Sequence, residues 1–343
     1  MTDFRQHLAR LADGKALTTA DARDAFDTIM SGGADLAQMA AFVMAMRVRG
    51  ETADEIVGGA EVLRAKAGRI EAPEGAIDTC GTGGDELGTY NISTAAAIVT
   101  AAAGVPVAKH GNRSVSSKSG SADVLIALGA NLEIPEFANE QALREYGFAF
   151  LFAPSHHRAM RHVAPVRGSL KLRTIFNLLG PLANPAGTKR QLLGVFDERW
   201  LEPMAEVLKR LGSEHVWVVH GADGLDELTT TAETHVVEMK DGVTRRFTVT
   251  PEEVGLKRAS IQDLKGGDAD VNAEAIRALL SGQKSAYRDI VLLNTGAALT
   301  VGGRTAALQE GVDLARETID SGKAARALAD WIAYTNRWKD DEK

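Results

Sequence analysis

The sequence predicts an α/β protein in which a small N-terminal all-helical domain precedes a larger α/β domain with a mainly parallel central sheet flanked by helices. The first seventy residues carry apolar residues at helical spacing, and no alternating β-branched run interrupts them. From about residue 76, short apolar segments alternate with helical patterns, which is typical of parallel sheets covered on both faces. The length of 343 residues fits roughly two domains of about 100–200 residues each.

Two capping sequences mark helix starts in the N-terminal part. Thr18-x-x-Asp21 and Thr52-x-x-Glu55 each place a hydroxyl at the N-cap and a carboxylate three residues later, and apolar residues at helical spacing follow both. The stretch 165–185 is rich in basic residues, glycine and proline, interrupts the strand–helix alternation and indicates a return to the helical part. The predicted division is a helical domain of residues 1–72, joined by the 165–188 segment, and an α/β domain of residues 73–164 and 189–343.

Strands are predicted where short apolar segments end in glycine or small polar residues. A hairpin with its turn at residues 240–242 follows the last of them. The predicted strands are 76–79, 105–109, 148–152, 191–196 and 215–220, and the predicted hairpin is 234–247. In parallel sheets, ligands bind at the carboxyl ends of the strands, so the segments directly after each strand are the candidates for function.

Composition argues against several classes of protein. The net charge of −7 does not suit a nucleic-acid binder that acts through an overall positive field. The single cysteine, Cys80, cannot form an internal disulfide or a cysteine metal cage. The longest nearly apolar run, 95–108, is shorter than the ~20 residues of a membrane helix, and the N-terminus lacks the apolar core of a signal peptide. We therefore expect a cytoplasmic protein with no nucleic-acid or membrane partner.

A glycine-rich segment, Asp78-Thr-Cys-Gly-Thr-Gly-Gly-Asp85, follows the first predicted strand. Its glycines let a ligand approach the backbone closely and can direct N–H groups at phosphate, although a tight strand-to-helix turn has the same composition. Asn91-Ile-Ser-Thr94 precedes a predicted helix, 95–103, and puts hydroxyls and free N–H groups at its N-terminus. An ordinary N-cap explains one polar residue there, whereas three in four favour an anion site.

A second polar loop, residues 109–120, follows the second predicted strand. It contains two lysines, one arginine and four serines around two glycines, which are donors that suit phosphate oxygens. A solvated loop is the alternative interpretation of this segment alone. Because two such loops after adjacent strands face the same crevice, they indicate a diphosphate or phosphosugar site.

Carboxylates end a third segment, Gly221-Ala-Asp-Gly-Leu-Asp-Glu227, after the strand predicted at 215–220. Such a pair suits a hard cation such as Mg²⁺, although surface acids are common. Opposite two phosphate loops, the pair predicts a metal that bridges to a polyphosphate. Zinc-type ligand spacing is absent from the sequence, and His156, His157 and His162 are interpreted as structural or rim residues on a predicted helix.

The fourth segment is an apolar helix that ends at Gly180-Pro181, a helix stop. Arg167 lies just before it, between the two predicted domains. This guanidinium could bind a substrate carboxylate, and a surface salt bridge is the alternative.

Together these motifs resemble those of the anthranilate phosphoribosyltransferase family, in the same order over nearly the whole chain. GTGGD alone is a weak signal, because nucleoside phosphorylases of the same fold carry relatives of it, but its combination with KHGNR and GPLANP is specific. The shared motifs are DTCGTGGD at 78–85, NISTAAA at 91–97, KHGNRSVSSKSGSADVL at 109–125, RTIFNLLGPLANP at 173–185 and DGLDE at 223–227.

The resemblance implies transfer of a 5-phosphoribosyl group from phosphoribosyl pyrophosphate to the amino group of anthranilate, with Mg²⁺ as cofactor and a homodimer joined through the helical domains. It implies no certain acid–base catalyst; Lys109, Asn112 and Arg167 would act by positioning and electrostatics. The implied phosphoribosyl pyrophosphate site consists of Gly81, Gly84, Asp85, Thr89, Asn91, Ile92, Ser93, Thr94, Lys109, His110, Gly111, Asn112, Arg113, Ser114, Val115, Ser116, Ser117 and Ser121. The implied anthranilate site consists of Gly81, His110, Asn112, Arg167 and Pro181, and the implied magnesium ligands are Ser93, Asp226 and Glu227.

Two departures from the family pattern concern the segment that carries Arg167. Lys171 stands where the family commonly has glycine, and Gly168-Ser169 is a less usual pair after Arg167. Both bear on the local shape of that segment only.

Two alternative functions remain open. A pyrimidine nucleoside phosphorylase of the same fold would use phosphate as its nucleophile without Mg²⁺, and a non-catalytic relative would bind nucleic acid. The Asp226-Glu227 pair, with Asn112 and Arg167, favours the transferase over the first, and the charge of −7 with an intact KHGNR motif favours it over the second.

Overall fold

A single seven-stranded sheet organises the computed structural model, which describes residues 3–113 and 118–339. The strands run in the order β3-β2-β1-β4-β5-β6-β7; the first five of these are mutually parallel, and β6 and β7 are antiparallel. The mainly parallel sheet of the sequence prediction is therefore confirmed. The strands are β1 (Ile77–Gly81), β2 (Val107–Gly111), β3 (Phe148–Phe152), β4 (Arg190–Gly194), β5 (His215–Gly221), β6 (Thr234–Lys240) and β7 (Val243–Val249).

Helices precede the sheet and cover both of its faces. Within the described ranges, the α-helices are α1 (Phe4–Ala12), α2 (Thr19–Met30), α3 (Leu36–Arg49), α4 (Ala53–Lys66), α5 (Ile92–Ala102), α6 (Ser121–Ala127), α7 (Glu136–Tyr146), α8 (Ala153–His156), α9 (Ala164–Leu170), α10 (Ile175–Leu179), α11 (Leu201–Arg210), α12 (Ala269–Leu280), α13 (Ala286–Val301), α14 (Leu308–Asp320) and α15 (Lys323–Thr335). In the part of the chain that these ranges span, none is both long and apolar enough to cross a membrane.

The predicted caps begin two helices of the N-terminal part. Thr18 accepts a hydrogen bond from the Asp21 N–H, and Thr52 with Glu55 forms a complete capping box. The Phe26 and Phe176 rings pack edge to face with their centroids 5.8 Å apart, which joins α10 to the N-terminal helices. This contact is what the predicted return of the chain to the helical part requires.

Two hydrophobic clusters lie on opposite faces of the sheet. Leu192 belongs to the cluster formed with α5, α13 and α15, whereas its neighbour Leu193 belongs to the cluster shared by α11 and the N-terminal helices. This alternation is the period-two pattern of a strand buried on both faces. Because both faces are covered by helices, the loops at the carboxyl ends of β1, β2, β4 and β5 remain available for a site.

Several predicted boundaries shift. β1 continues to Gly81 and β2 to Gly111, so the first residues of both predicted polar loops belong to strands. The single helix predicted around His156, His157 and His162 is wrong: α8 ends at His156, and a 3₁₀ helix covers Arg158–His162. The predicted hairpin is confirmed.

Candidate active site

The three predicted functional loops meet at the carboxyl edge of the sheet. The Gly83 N–H donates to Asp226 Oδ2 at 2.8 Å, and the Ser93 N–H donates to Glu227 Oε1 at 3.1 Å. Lys109, at the end of β2, donates from Nζ to Ser93 Oγ at 3.3 Å. Residues separated by more than 100 positions in the sequence therefore share one crevice, as the order of the parallel strands requires.

Glycines at two strand ends make room for the acidic loop. Gly81 ends β1 and Gly194 ends β4, and a Cβ on either would overlap atoms of Asp226. At Gly194 the overlapped atom belongs to the Asp226 backbone, which cannot rotate away. The absence of a side chain at both positions lets the carboxylate of Asp226 lie directly against the glycine-rich loop.

The N-terminus of α5 points into this crevice, but it begins earlier than predicted. The helix starts at Ile92, so Ser93 and Thr94 lie in its first turn rather than before it. Asn91 is the N-cap residue, yet its side chain makes no capping hydrogen bond. The Ile92 N–H donates to the Tyr90 carbonyl at 2.8 Å, whereas the Ser93 N–H faces the crevice and donates to Glu227. The helix dipole favours negative charge at this position.

Lys109 lies within β2, in the strand predicted at 105–109 and not in the polar loop predicted at 109–120. Its side chain is 2% exposed, and Nζ donates to the carbonyl of Thr79 as well as to Ser93 Oγ. An ammonium has three donors, so one remains for a ligand. Lys109 thus supplies a buried positive charge beneath the crevice, behind Ser93 and Glu227.

Carboxylates are concentrated in the crevice, and the protein environment favours their neutral forms. Burial raises the pKa of Glu227 to about 7, and Lys109 opposes part of this effect. Burial, followed by repulsion from Asp85 and Glu227, raises the pKa of Asp226 well above its usual range. The pKa of Asp85 is also raised, first by burial. The positive charges of the protein at this edge therefore do not fully balance the negative charges of the three carboxylates.

This donor set fits a hard divalent cation. A cation placed between Asp226 and Glu227 would offset the repulsion that raises their pKa values, and the Ser93 hydroxyl is an oxygen ligand beside them. Across residues 3–113 and 118–339, no group of three or more His, Cys, Asp or Glu could hold a metal ion. The remaining ligands would be water and substrate oxygens, the usual arrangement for Mg²⁺ at phosphate sites.

His110 faces a second histidine instead of solvent. Its Nε2 lies 3.2 Å from Nε2 of His157, and the two rings are buried. Burial first, then repulsion between the histidines, lowers the pKa of His110 to about 3, and burial lowers the pKa of His157 to about 4. His110 is therefore a neutral hydrogen-bonding group at physiological pH and cannot act as a cation toward a substrate carboxylate.

Beyond β2, the polar loop is only partly described. Asn112 and Arg113 are exposed, and the Asn112 carbonyl accepts from Ser121 Oγ at 3.2 Å at the start of α6. This bond connects the two ends of the loop. The predicted phosphate-binding residues Ser114, Val115, Ser116 and Ser117 lie outside the described residues.

Arg167 is half-buried on α9, which packs against α3. Burial lowers the pKa of its guanidinium, and no ion pair or side-chain hydrogen bond joins it to any other residue for which coordinates are described. The helix ends at Lys171 in a left-handed conformation with φ of 48°. Glycine is favoured in that conformation, which explains physically why the family commonly has it there.

Thr89 and Pro181 contact other segments of the chain. Thr89 forms an isolated antiparallel bridge with Lys265, and Pro181 is buried with its carbonyl accepting from Gln191 Nε2 at 2.7 Å. No hydrogen bond among the described residues links Arg167 or Pro181 to the acidic loop. The hydrogen bonds connect Ser93, Lys109 and Glu227, and Asp226 contacts Gly81 and Gly83.

Sequence reasoning missed several residues that shape this edge. Gly194 lies inside the strand predicted at 191–196 but ends β4 in the structure, and a glycine within a predicted strand could have signalled a close approach. Asn272 and Tyr287 come from α12 and α13, and they contact Asn91. Neither lies in a motif, so the sequence carried no signal for them.

The sequence matches two glycosyl transferase family domains. Residues 5–67 match the helical bundle domain, and residues 73–325 match the a/b domain. Curated anthranilate phosphoribosyltransferases from Parvibaculum lavamentivorans and Azospirillum brasilense are each 60% identical to this chain over 336 residues. The alignments cover 98% of this chain and 98% and 94% of the respective relatives.

Solved structures of the same enzyme superimpose closely. The anthranilate phosphoribosyltransferase of Thermus thermophilus has a TM-score of 0.91 and 46% identity, and the match covers 96% of this chain and 99% of the other. The Saccharomyces cerevisiae enzyme, solved in complex with PRPP and Mg, has a TM-score of 0.89 and 27% identity, with 97% and 98% coverage. With a family domain matched over most of its length and relatives at 60% identity, this chain belongs to the anthranilate phosphoribosyltransferase family.

Proposed function

We propose that the crevice at the carboxyl edge of the sheet is where this chain transfers the 5-phosphoribosyl group of phosphoribosyl pyrophosphate to the amino group of anthranilate. The products are N-(5-phosphoribosyl)anthranilate and pyrophosphate, an intermediate and a by-product of tryptophan biosynthesis. The observation that carries this assignment is the meeting of three loops, through the Gly83–Asp226 and Ser93–Glu227 hydrogen bonds, at one helix N-terminus.

Phosphoribosyl pyrophosphate would lie along the glycine-rich loop and the start of α5. Backbone N–H groups there suit the oxygens of a diphosphate, and Lys109 adds a positive charge from below. The residues we assign to it among the described positions are Gly81, Gly84, Asp85, Thr89, Asn91, Ile92, Ser93, Thr94, Lys109, His110, Gly111, Asn112, Arg113 and Ser121. Residues 114–117 are assigned to it on the sequence motif alone.

Mg²⁺ is the cofactor of the reaction, and we assign it to Ser93, Asp226 and Glu227. The carboxylates are held by the Gly83 and Ser93 N–H groups, so their oxygens are fixed before substrate arrives. When bound, the cation supplies stabilisation of the negative charge that develops on the departing pyrophosphate, a contribution of several kcal/mol.

Anthranilate would bind between the phosphate loops and the helical part, beside Gly81, His110, Asn112 and Pro181. Its carboxylate would pair with the guanidinium of Arg167, which has no partner in the part of the chain that is described. Neutral His110 would border the aromatic ring and add no charge there.

The chemical step requires placement more than proton transfer. Breaking the C1–pyrophosphate bond leaves positive charge on the ribose, and the aromatic amine attacks C1 from the opposite face, so inversion is expected. Lys109, Asn112 and Arg167 would contribute by positioning and electrostatics, because an aromatic amine needs no deprotonation before it attacks. The crevice accordingly needs no nucleophile–base pair.

Three further assignments accompany this function. We assign residues 1–72 to a helical domain that the 165–188 segment joins, and residues 73–164 and 189–343 to the α/β domain; the matched domain families at 5–67 and 73–325 support this division. We assign a homodimer joined through the helical domains, and the exposed apolar side chains Leu36 and Val48 on α3 are consistent with it. We also assign the enzyme to the cytoplasm, where its substrates are made.

A fluorescence assay tests the function directly. Anthranilate fluorescence should fall when the purified chain is mixed with anthranilate, phosphoribosyl pyrophosphate and Mg²⁺, and it should stay constant when Mg²⁺ is removed by chelation. A nucleoside phosphorylase would instead cleave pyrimidine nucleosides with phosphate and without Mg²⁺. Retention of a nucleic-acid probe without turnover would support the non-catalytic alternative.

A further inference from the structure

A hydrogen-bonded junction lies behind the proposed phosphate site, centred on Asn91. Asn91 Oδ1 accepts from Asn272 Nδ2 at 2.9 Å and from Ser119 Oγ at 3.3 Å. Its Nδ2 donates to the Ser119 carbonyl at 3.2 Å. Both acceptor positions and one of the two donor positions of this amide are therefore used inside the protein, and only one N–H remains for a ligand.

Asn272 connects this junction to a third segment. Its Oδ1 accepts from the Gly267 N–H at 2.8 Å, so the single amide bridges Gly267 and Asn91. The side chain is 1% exposed, which means that water cannot replace either partner without a cavity opening. The Gly267 N–H is a donor and Asn91 Oδ1 is an acceptor, so only one orientation of the Asn272 amide satisfies both.

The segment from Leu264 to Gly267 is in turn paired with the loop that leads into α5. The Gly266 N–H donates to the Gly88 carbonyl at 3.0 Å, and the Tyr90 N–H donates to the Leu264 carbonyl at 3.0 Å. A Cβ on Gly266 would lie 2.8 Å from both the Thr89 carbonyl oxygen and Asn272 Oδ1. The two segments are thus in close backbone contact directly beside Asn272.

Tyr287 closes the junction from α13. Its hydroxyl donates to the Asn91 carbonyl at 3.2 Å, and its ring stacks on Tyr90 with centroids 4.5 Å apart. These contacts fix the backbone of Asn91, whereas Asn272 fixes the polarity of its side chain.

We propose that Asn272 is a positioning residue of the phosphoribosyl pyrophosphate site. By fixing the Asn91 amide, it holds the N-terminus of α5 and the end of the polar loop, at Ser119, in the register that the diphosphate requires. The proposal rests on the proposed function, because it deepens the assignment of that site. Asn272 itself does not touch the substrate.

The isosteric change Asn272→Asp tests the polarity argument. A carboxylate can still accept from Gly267, but it cannot donate to Asn91 Oδ1. To satisfy the new acceptor, the Asn91 amide must flip, which places its oxygen against the Ser119 carbonyl. The end of the polar loop is then released, with little change in side-chain volume.

Steady-state kinetics with both substrates measure the consequence. We expect the KM for phosphoribosyl pyrophosphate to rise by about tenfold or more in Asn272→Asp, because a buried hydrogen bond is lost and a repulsive contact is gained. The KM for anthranilate should change by less than about twofold, since the junction contacts none of the residues assigned to it. Calorimetric titration with phosphoribosyl pyrophosphate and Mg²⁺, without anthranilate, should show that the affinity for phosphoribosyl pyrophosphate falls by a similar factor.

Asn139→Asp is the matched control. Asn139 is also a buried asparagine on a helix, 4% exposed on α7, but α7 packs on the edge strand β3. This control should lower thermal stability without changing the ratio of the two KM values. If Asn272→Asp does not fold, Asn272→Ser is the second variant, because a serine side chain lacks the Nδ2 group that donates to Asn91 and is shorter by one atom.

An unchanged ratio of KM values in a folded Asn272 variant would overturn the proposal, whatever its melting temperature. A wild-type chain that does not consume anthranilate would instead overturn the proposed function. The two failures are therefore distinguishable in one set of assays.

Discussion

Arg167 illustrates how burial and an unpaired charge together suggest a ligand. A half-buried guanidinium normally pairs with a carboxylate or a carbonyl, because its desolvation is otherwise uncompensated. Burial lowers the pKa of the Arg167 guanidinium, and no ion pair or side-chain hydrogen bond joins it to another described residue. A substrate carboxylate would supply the missing acceptor.

Replacement of Arg167 should therefore act on one substrate. We expect Arg167→Ala to raise the KM for anthranilate by about 10- to 100-fold, because a charge-assisted hydrogen bond contributes roughly 1.5–3 kcal/mol. The KM for phosphoribosyl pyrophosphate should stay within about twofold. Arg158→Ala is the control, because Arg158 is exposed on the neighbouring 3₁₀ helix. Equal effects of the two substitutions on anthranilate would contradict the assigned role.

A double substitution tests whether Asp226 and Glu227 bind the metal. Removal of both carboxylates, in Asp226→Ala/Glu227→Ala, should abolish Mg²⁺-dependent turnover, because only the Ser93 hydroxyl remains of the assigned ligands. Turnover against Mg²⁺ concentration is the measurement, with the exposed carboxylate variant Asp330→Ala as control. Full activity of the double variant would refute the metal assignment.

Residues whose chemistry is visible in the sequence were predictable, and residues defined by their partners were not. Asp226, Glu227 and the glycine-rich loop follow predicted strands of one parallel sheet, so the sequence predicted that they lie at the same edge. The strand order that brings them together comes from the structure. Lys109 was predicted both at the end of a strand and at the start of a polar loop. The strand position is possible because its Nζ bonds to Thr79 and Ser93 compensate its burial. Asn272 is an ordinary helix residue until Asn91 lies beside it.

At the scale of elements, the strand ends decide the geometry of the crevice. The existence of the strands follows from apolar segments alternating with helices. Their ends shift by about two residues because the parallel ladders extend β1 and β2 to their glycines. The start of α5 shifts for a related reason. The Asn91 side chain bonds to Ser119 and Asn272 instead of capping, and the helix begins directly after it.

The end of β4 provides a sharp test of this packing. Gly194→Ala should lower Mg²⁺-dependent activity by at least about tenfold, because the new methyl overlaps the Asp226 backbone and must displace the acidic loop. Gly168→Ala is the matched control: nothing lies within 4 Å of a Cβ at that position, on the same helix as Arg167. Turnover at several Mg²⁺ concentrations distinguishes a displaced metal site from general loss of folded protein.

A tolerated Gly194→Ala substitution would mean that the acidic loop moves without consequence. In that case the fixed position of Asp226 would not be part of the site. Loss of activity in both alanine variants would point to a stability effect instead, which a melting curve of each variant would detect.

At the scale of the whole molecule, the site lies where two differently composed cores meet the same sheet edge. One hydrophobic cluster packs α5 and α13 on one face of the sheet, and the other packs α11 and the N-terminal helices on the opposite face. Charged groups at that edge are therefore partly desolvated, which is the origin of the raised carboxylate pKa values. The protonation of these carboxylates therefore affects both the proposed metal site and the stability of the fold.

The metal-free protein should show this coupling as a pH-dependent stability difference. Burial raises the pKa of Glu227 from its ordinary value of 4.5 to about 7, so the folded chain retains a proton that the unfolded chain releases between these values. The contribution of Glu227 to the free energy of unfolding is thus present below about pH 4.5 and is lost as the pH rises toward 7. Glu227→Gln keeps an acceptor for the Ser93 N–H but cannot ionise.

Urea unfolding in the presence of a chelator, at about pH 5 and about pH 8, tests whether the contribution of Glu227 to the free energy of unfolding falls as the pH rises. The Glu227→Gln variant should gain stability relative to the wild type at the higher pH and little at the lower one. The histidines act in the opposite direction, because lowered pKa values at His110 and His157 cost stability as the pH falls below about 6.5, but they are common to both proteins and cancel in the difference. A difference that does not vary with pH would mean that Glu227 is ionised in the folded metal-free chain throughout this range, and that Lys109 compensates its burial fully.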